Sequence, residues 1–301
     1  MSTESPGSIS GDPPRTGFPL SAEVTRARRS EWIENRPSRG WLPRFDLSEL
    51  LAYRELALLL ALRDLKLRYK QTFFGVAWAI IQPLAGVAIF SVVFGHLAKV
   101  PSDGLPYPVF AYAGFAVWTY LSTSVTGAAE SLAQQEALVT KIYFPRLLAP
   151  LAAVLPGLVD LAVSLLVLAV FMAAYTVAPT AALILLPIWV IAAVSVAAAV
   201  GVVLSALNVE YRDVRYALPF LLQLWLFASP VVYPSSLFHG VWQYVYSVNP
   251  AVAVIDGFRW SLAGGPAPGP EALVSLAAWI VIMGVGLFYF GRVERRFADR
   301  I

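Results

Sequence analysis

The sequence predicts an all-α polytopic membrane protein: six transmembrane helices, an amphipathic N-terminal interfacial helix, and short re-entrant helices between spans five and six. Three observations predict it. First, 58% of the residues are hydrophobic, only 14% are charged, and the mean hydropathy is +0.67. Soluble domains carry about 25% charged and about 45–50% apolar residues, so this much apolar surface calls for lipid as its solvent. Second, six stretches approach the roughly 20 apolar residues that cross about 30 Å of hydrocarbon. Third, Lys and Arg gather on one side of those stretches. A net charge of +3 is too small to argue for nucleic acid, and the lack of cysteine excludes disulfides and thiolate metal sites. His96 and His239 are the only imidazoles, which argues against a histidine metal site.

Residues 1–45 are rich in Pro, Ser, Gly and Arg without an apolar signal core, and read as a disordered cytoplasmic tail. Glu4, Asp12, Glu23, Glu31 and Glu34 speak against a transit peptide. Residues 46–72 form the interfacial helix, opened by a capping box of Asp46 and Glu49. At helical spacing, Leu47, Leu51, Leu58, Leu62, Leu65 and Tyr69 make one apolar stripe, and Tyr53, Leu56, Leu60 and Leu67 a second. Two stripes imply lipid on one face and protein on the other. The alternative is a plain interfacial anchor whose Lys and Arg snorkel.

The six-span domain fills residues 73–301. Its spans run over Val76–Leu97, Pro108–Ala128, Leu147–Tyr175, Thr180–Ala206, Ala217–Tyr233 and Ala272–Phe290. On one side lie Arg54, Arg63, Lys66, Arg68, Lys70, Lys141, Arg146, Arg212, Arg215, Arg292, Arg295, Arg296 and Arg300, and on the other only Lys99 and Arg259. The positive-inside rule then places both termini in the cytoplasm. Residues 234–271 face outward yet are semi-apolar, as two short re-entrant helices divided at Asn249-Pro250 and ended by Gly264-Gly265-Pro266 would be. An external cap packed on the spans is the other reading.

Chemistry-bearing motifs are sparse. None of the lysines Lys66, Lys70, Lys99 and Lys141 precedes Ser or Thr, so there is no P-loop and no ATPase of this chain's own. The outward acids Asp103, Asp256 and Glu271 are too scattered for an enzyme of lipid-linked sugars. Asp160, near the middle of span three, is the one plainly ionisable residue inside a span. There it costs about 2.5–3.5 kcal/mol on insertion scales, so it faces protein or water, or is protonated. It is either a structural partner, to a hydroxyl or to Arg259, or an ion-coupling group.

Several segments resemble polysaccharide-type ABC-2 permeases, the membrane subunits for O-antigen, teichoic acid and capsule export. They are Arg63-Asp64-Leu65-Lys66-Leu67-Arg68-Tyr69-Lys70-Gln71-Thr72 with Gly75 to Leu84, Lys141 to Arg146 with Gly157 to Asp160, Asn208 with Tyr211 to Val214, Ser229 to Pro234, Asn249-Pro250, and Ile255 to Arg259. The likeness covers about residues 50–300 in order. It implies export of lipid-linked polysaccharide across the bacterial inner membrane. It further implies a homodimer with a continuous pore and two cytoplasmic P-loop ATPase subunits, which bind ATP and Mg. It also makes the loop Glu130–Arg146, with Glu130, Gln134, Gln135, Glu136, Lys141 and Arg146, a coupling helix seated in the ATPase. A solvated loop is the alternative.

Sugars slide over aromatic faces, so Phe74, Trp78 and Gln82 on span one and Phe220, Gln223 and Phe227 on span five are candidates for the substrate path. Tyr112, Trp118 and Tyr120 would line its outer part. Helix packing around a satisfied glutamine fits the same spacing. Arg63 and Arg68, with Arg146, are candidates for a lipid-carrier phosphate, or simply meet anionic membrane lipids. The competing functions are ABC-2 transport of a small drug or lipid, and gradient-driven transport through Asp160.

Overall fold

A computed structural model describes residues 47–70, 77–135, 144–211 and 213–294. Among these residues every regular element is helical. Helices α1 (Leu47–Ala52) and α2 (Arg54–Tyr69) meet at a turn on Tyr53. Helix α3 (Ala77–Phe90) continues as a π-helical segment, Ser91–Leu97. Helix α4 spans Tyr107–Gln134, α5 Leu148–Ala153, α6 Gly157–Ala174 and α7 Leu186–Glu210. Then come α8 (Val214–Phe227), α9 (Val241–Tyr246), α10 (Pro250–Ala263) and α11 (Ala272–Val293). Four stretches are long and apolar enough to cross a membrane: Ile80–Leu97, Leu148–Ala174, Ala181–Glu210 and Ala272–Val293. Helix α8 is apolar but shorter.

Proline and glycine set the punctuation. Pro108, Pro187 and Pro250 occupy first-turn positions, where a missing N–H costs nothing. Gly264 ends α10 in the left-handed region, at φ 77°. Pro156 sits between α5 and α6 and divides span three, which the apolar run alone reads as continuous. Asp160, near the middle of the apolar stretch Leu148–Ala174, therefore lies in the first turn of a second helix. Helix α4 also differs from expectation. It runs on past the expected end at Ala128 to Gln134, so Glu130 and Gln134 lie on the same continuous helix.

Helix α4 is the hub, packing on α7 above all and also on α6, α5, α10 and α3. It is buried nearly throughout, from Val109 and Phe110 to Ala129 and Leu132. Small residues permit the approach: Ala128 of α4 meets Gly201 of α7, where an added Cβ would lie 2.5 Å from the Ala128 Cβ. Likewise Trp189 of α7 lies over Gly257 of α10, 2.2 Å from the position of an added Cβ. Helix α11 packs along α7 and α10.

The interfacial helix uses its two stripes differently. Tyr53, Leu56 and Leu60 turn inward, with Ala57 and Ala61 between them, and α2 lies along α5. Leu51, Leu58 and Leu62 are exposed on the other stripe. Leu67, on the inward stripe, is exposed as well.

Adding one methyl at the tight crossings should destabilise the fold. Gly201→Ala and Gly257→Ala gain about 1 kcal/mol of helix propensity but overpack by about 1–3 kcal/mol. Both should lower the unfolding midpoint in detergent. Ala128→Gly should restore Gly201→Ala specifically, and Gly284→Ala, which meets open space, should be neutral or stabilising. An unchanged midpoint for Gly201→Ala would refute the contact.

Candidate functional site

A cavity of about 560 Å³ opens where α2, α4, α8 and the α5–α6 break converge. Helix α4 contributes Ser122, Thr123, Thr126, Glu130 and Gln134, and α2 contributes Asp64, Leu67 and Arg68. Ala153 and Pro156 come from the break, and Pro219 and Leu222 from α8. The break is held by side chains of α4. The Val154 carbonyl accepts from Tyr120 Oη and from Ser124 Oγ, each at 3.3 Å. Gly157 is required there, since an added Cβ would sit 2.7 Å from Ser124 Oγ.

Asp160 is buried beyond this turn, and its partner is Arg68 of α2, which donates from Nη1 to its Oδ2. Arg259, a candidate partner on sequence grounds, lies elsewhere. The first turn of α6 favours a carboxylate through the helix dipole, and the ion pair fastens α2 to the broken span. Arg63 closes on its neighbour Asp64 at 2.8 Å.

The same end of the bundle carries further ties. Gln134 Nε2 donates to Glu130 at 2.9 Å, and Arg215 of α8 lies 3.6 Å from the same carboxylate. Arg146 donates to the Glu294 carbonyl at 2.6 Å. Burial raises the pKa of the Glu294 carboxyl, against the opposing pull of Arg146. Gln135 is buried. Glu136 and Lys141 lie outside the described residues, as does Phe74.

At the opposite end, Arg259 of α10 is only 3% exposed. It donates from Nη2 to the Val231 carbonyl at 2.7 Å and from Nε to the Phe110 carbonyl at 3.2 Å. Its guanidinium stands 3.6 Å over the Phe110 ring, with Asp256 at 3.7 Å. Gly114 makes room, since a Cβ there would be 2.5 Å from Nη2. Asn249 donates to the Ala228 carbonyl and to Ser229 Oγ, and accepts from Trp225 and the Ala251 amide.

The expected path residues divide. Tyr112 and Tyr120 are fully buried, and Trp118 nearly so. The Tyr112 ring stacks on Phe171 at 5.1 Å, and Trp118 sets its edge to Trp225 at 5.4 Å. These three residues are core, not lining, because α4 is surrounded by the chain's own helices. Gln82 is exposed on α3, and Phe220, Gln223 and Phe227 are exposed along one face of α8. Trp78 falls on the first turn of α3. Sequence reasoning missed the hydroxyls of α4, although Ser122, Thr123 and Thr126 at i, i+1 and i+4 announce a polar face.

Comparison with known proteins agrees with this architecture. Residues 55–263 match the family described as ABC-2 type transporter. The chain is 31% identical over 257 residues to the O-antigen export system permease protein RfbA of Myxococcus xanthus, covering 84% of this chain and 98% of that protein. It is 24% identical over 246 residues to a protein of the same description from Klebsiella pneumoniae, covering 81% and 94%. With the polysialic acid transport protein KpsM of Escherichia coli it shares 27% over 234 residues, covering 76% and 89%.

Removing one member of the Arg68–Asp160 pair should cost about 1–3 kcal/mol. That lies below the range for a fully buried pair, because the Arg68 side chain keeps 35% of its surface. Arg68→Ala and Asp160→Asn should each lower the detergent unfolding midpoint, and the double variant should lose less than the sum. Strict additivity would mean that the pair does not hold α2 to α6.

Proposed function

The chain belongs to the ABC-2 type transporter family, and from that premise we propose that it is the permease subunit of an exporter of lipid-linked polysaccharide. The observation that carries the proposal is similarity across 98% of an O-antigen export permease, joined to an all-helical apolar bundle. ATP hydrolysis then belongs to a separate subunit, since no lysine of this chain precedes Ser or Thr.

In this reading the six spans are α3, α4, α5 with α6, α7, α8 and α11. Helices α9 and α10 dip back between spans five and six, a reading supported by the burial of α10 against α4, α7 and α11. The Lys- and Arg-rich end faces the cytoplasm of the bacterial inner membrane. Two copies form the pore, and the exposed faces with Gln82, Phe220, Gln223 and Phe227 line it. Two P-loop ATPase subunits carry ATP and Mg. They seat the end of α4, with Glu130 and Gln134, and the segment through Gln135, Glu136, Lys141 and Arg146.

Pull-down from mild-detergent membranes of the native host should yield a stoichiometric P-loop ATPase, and depletion should remove a surface glycan. Gln82→Ala with Phe227→Ala should block export while the complex still assembles. A homo-oligomer without ATPase, together with an unchanged surface glycan, would end the proposal.

A further inference from the structure

We propose that the cavity beside the α5–α6 break binds uncharged sugar units and discriminates against acidic or phosphorylated ones. The inference rests on the export reading and names the class of glycan. It follows from where the hydroxyl hydrogens go. Ser122 and Thr123 both donate to the Thr119 carbonyl, at 3.2 and 2.8 Å, and Thr126 donates to the Ser122 carbonyl at 2.8 Å. Each hydrogen is turned back onto α4, so each oxygen is left with lone pairs to offer. The carboxylates of Asp64 and Glu130 add further acceptors to the same lining. A neutral sugar ring carries several O–H donors and suits such a surface, and Leu67, Pro219 and Leu222 supply apolar contact for its C–H faces.

The charge balance points the same way. Arg68 is the one cation among the described lining residues, and its guanidinium is closed on Asp160. Asp64 is met by Arg63, and Glu130 by Arg215. Each of these three arginines therefore has a carboxylate partner. An entering uronate or phosphate would lose its hydration to meet oxygen acceptors and neutralised arginine. The volume, about 560 Å³, lies inside the range of about 300–1,000 Å³ of small-ligand sites.

The test uses the complex of this chain with its ATPase partner in lipid nanodiscs, free of sugar-headed detergent. Saturation-transfer NMR compares maltotetraose with tetragalacturonate, and inorganic pyrophosphate, which has no C–H protons, is added as a competitor of the maltotetraose signal. The neutral sugar should bind in preference to both anions. Thr126→Val, which keeps the shape and removes one acceptor, should weaken that binding about three- to tenfold. Thr126→Lys should shift the preference toward the uronate. Equal or stronger anion binding by the unaltered complex, a neutral signal unmoved by Thr126→Val, or no binding at all would each overturn the inference. Sugar analysis of the glycan lost on depletion separates the two readings. A lost glycan rich in acidic residues overturns the neutral preference and leaves export standing. A surface glycan that persists removes export, while preferential neutral binding would still support the cavity's chemistry.

Discussion

Wherever a helix is interrupted inside an apolar bundle, the carbonyls and amides it releases must find partners within the chain, because hydrocarbon offers none. The fold is organised around meeting that demand. At the α5–α6 break, the freed Val154 carbonyl is held by Tyr120 and Ser124 of α4. After α8, the Ala228 carbonyl is taken by Asn249 and the Val231 carbonyl by Arg259. Where α9 gives way to α10, Ser275 of α11 donates to the Ser247 carbonyl at 2.7 Å. Each of these side chains serves at least one freed carbonyl.

That demand also explains why the least apolar of the long helices lies at the centre. Helix α4 packs against α5, α6, α8 and α10, so it needs hydroxyls and glycine where lipid-facing helices carry Leu and Val. Gly114 and Gly157 mark the places where a neighbour's polar group passes close to backbone. With chain on all sides, α4 is shielded from lipid and tolerates Ser122, Thr123, Ser124 and Thr126. Helices α3 and α8 are the reverse: apolar, thinly packed, and exposed along Ile81, Ile89, Phe220 and Phe227.

Much of this was legible. Apolar runs located the long helices, the proline pair around Ser229 to Pro234 marked the end of α8, and Asn249-Pro250 with Gly264 bounded α10. The failures share a cause, which is that periodicity describes a helix but not its neighbours. Tyr112, Trp118 and Tyr120 have the composition of an aromatic path, and only the position of α4 in the bundle makes them core. Pro156 was visible but unremarkable in an apolar run, so the division of span three was lost and Asp160 seemed stranded. Its partner Arg68 lies 92 positions away on a helix whose register was read from leucines. The hydroxyl cluster was missed because Ser and Thr in a span are compatible with nearly any role.

Lys and Arg gather at one end of the bundle, and several of the arginines there tie one helix to another. Arg68, Arg215 and Arg146 each reach a different element: α6, α4 and the end of α11 respectively. Their guanidinium forks are used as fasteners between helix ends, a task suited to Arg and poorly served by Lys. This bears on Asp160. A carboxylate that shuttles protons must be able to lose its countercharge, whereas here α2 supplies one by direct contact, and the same contact anchors α2 to the rest of the domain. Breaking it to move a proton would also release the interfacial helix. A load on α2 from an attached ATPase, by contrast, would travel through Arg68 straight to the α5–α6 break and the cavity wall. The contact shown is thus a structural tie between α2 and the broken span.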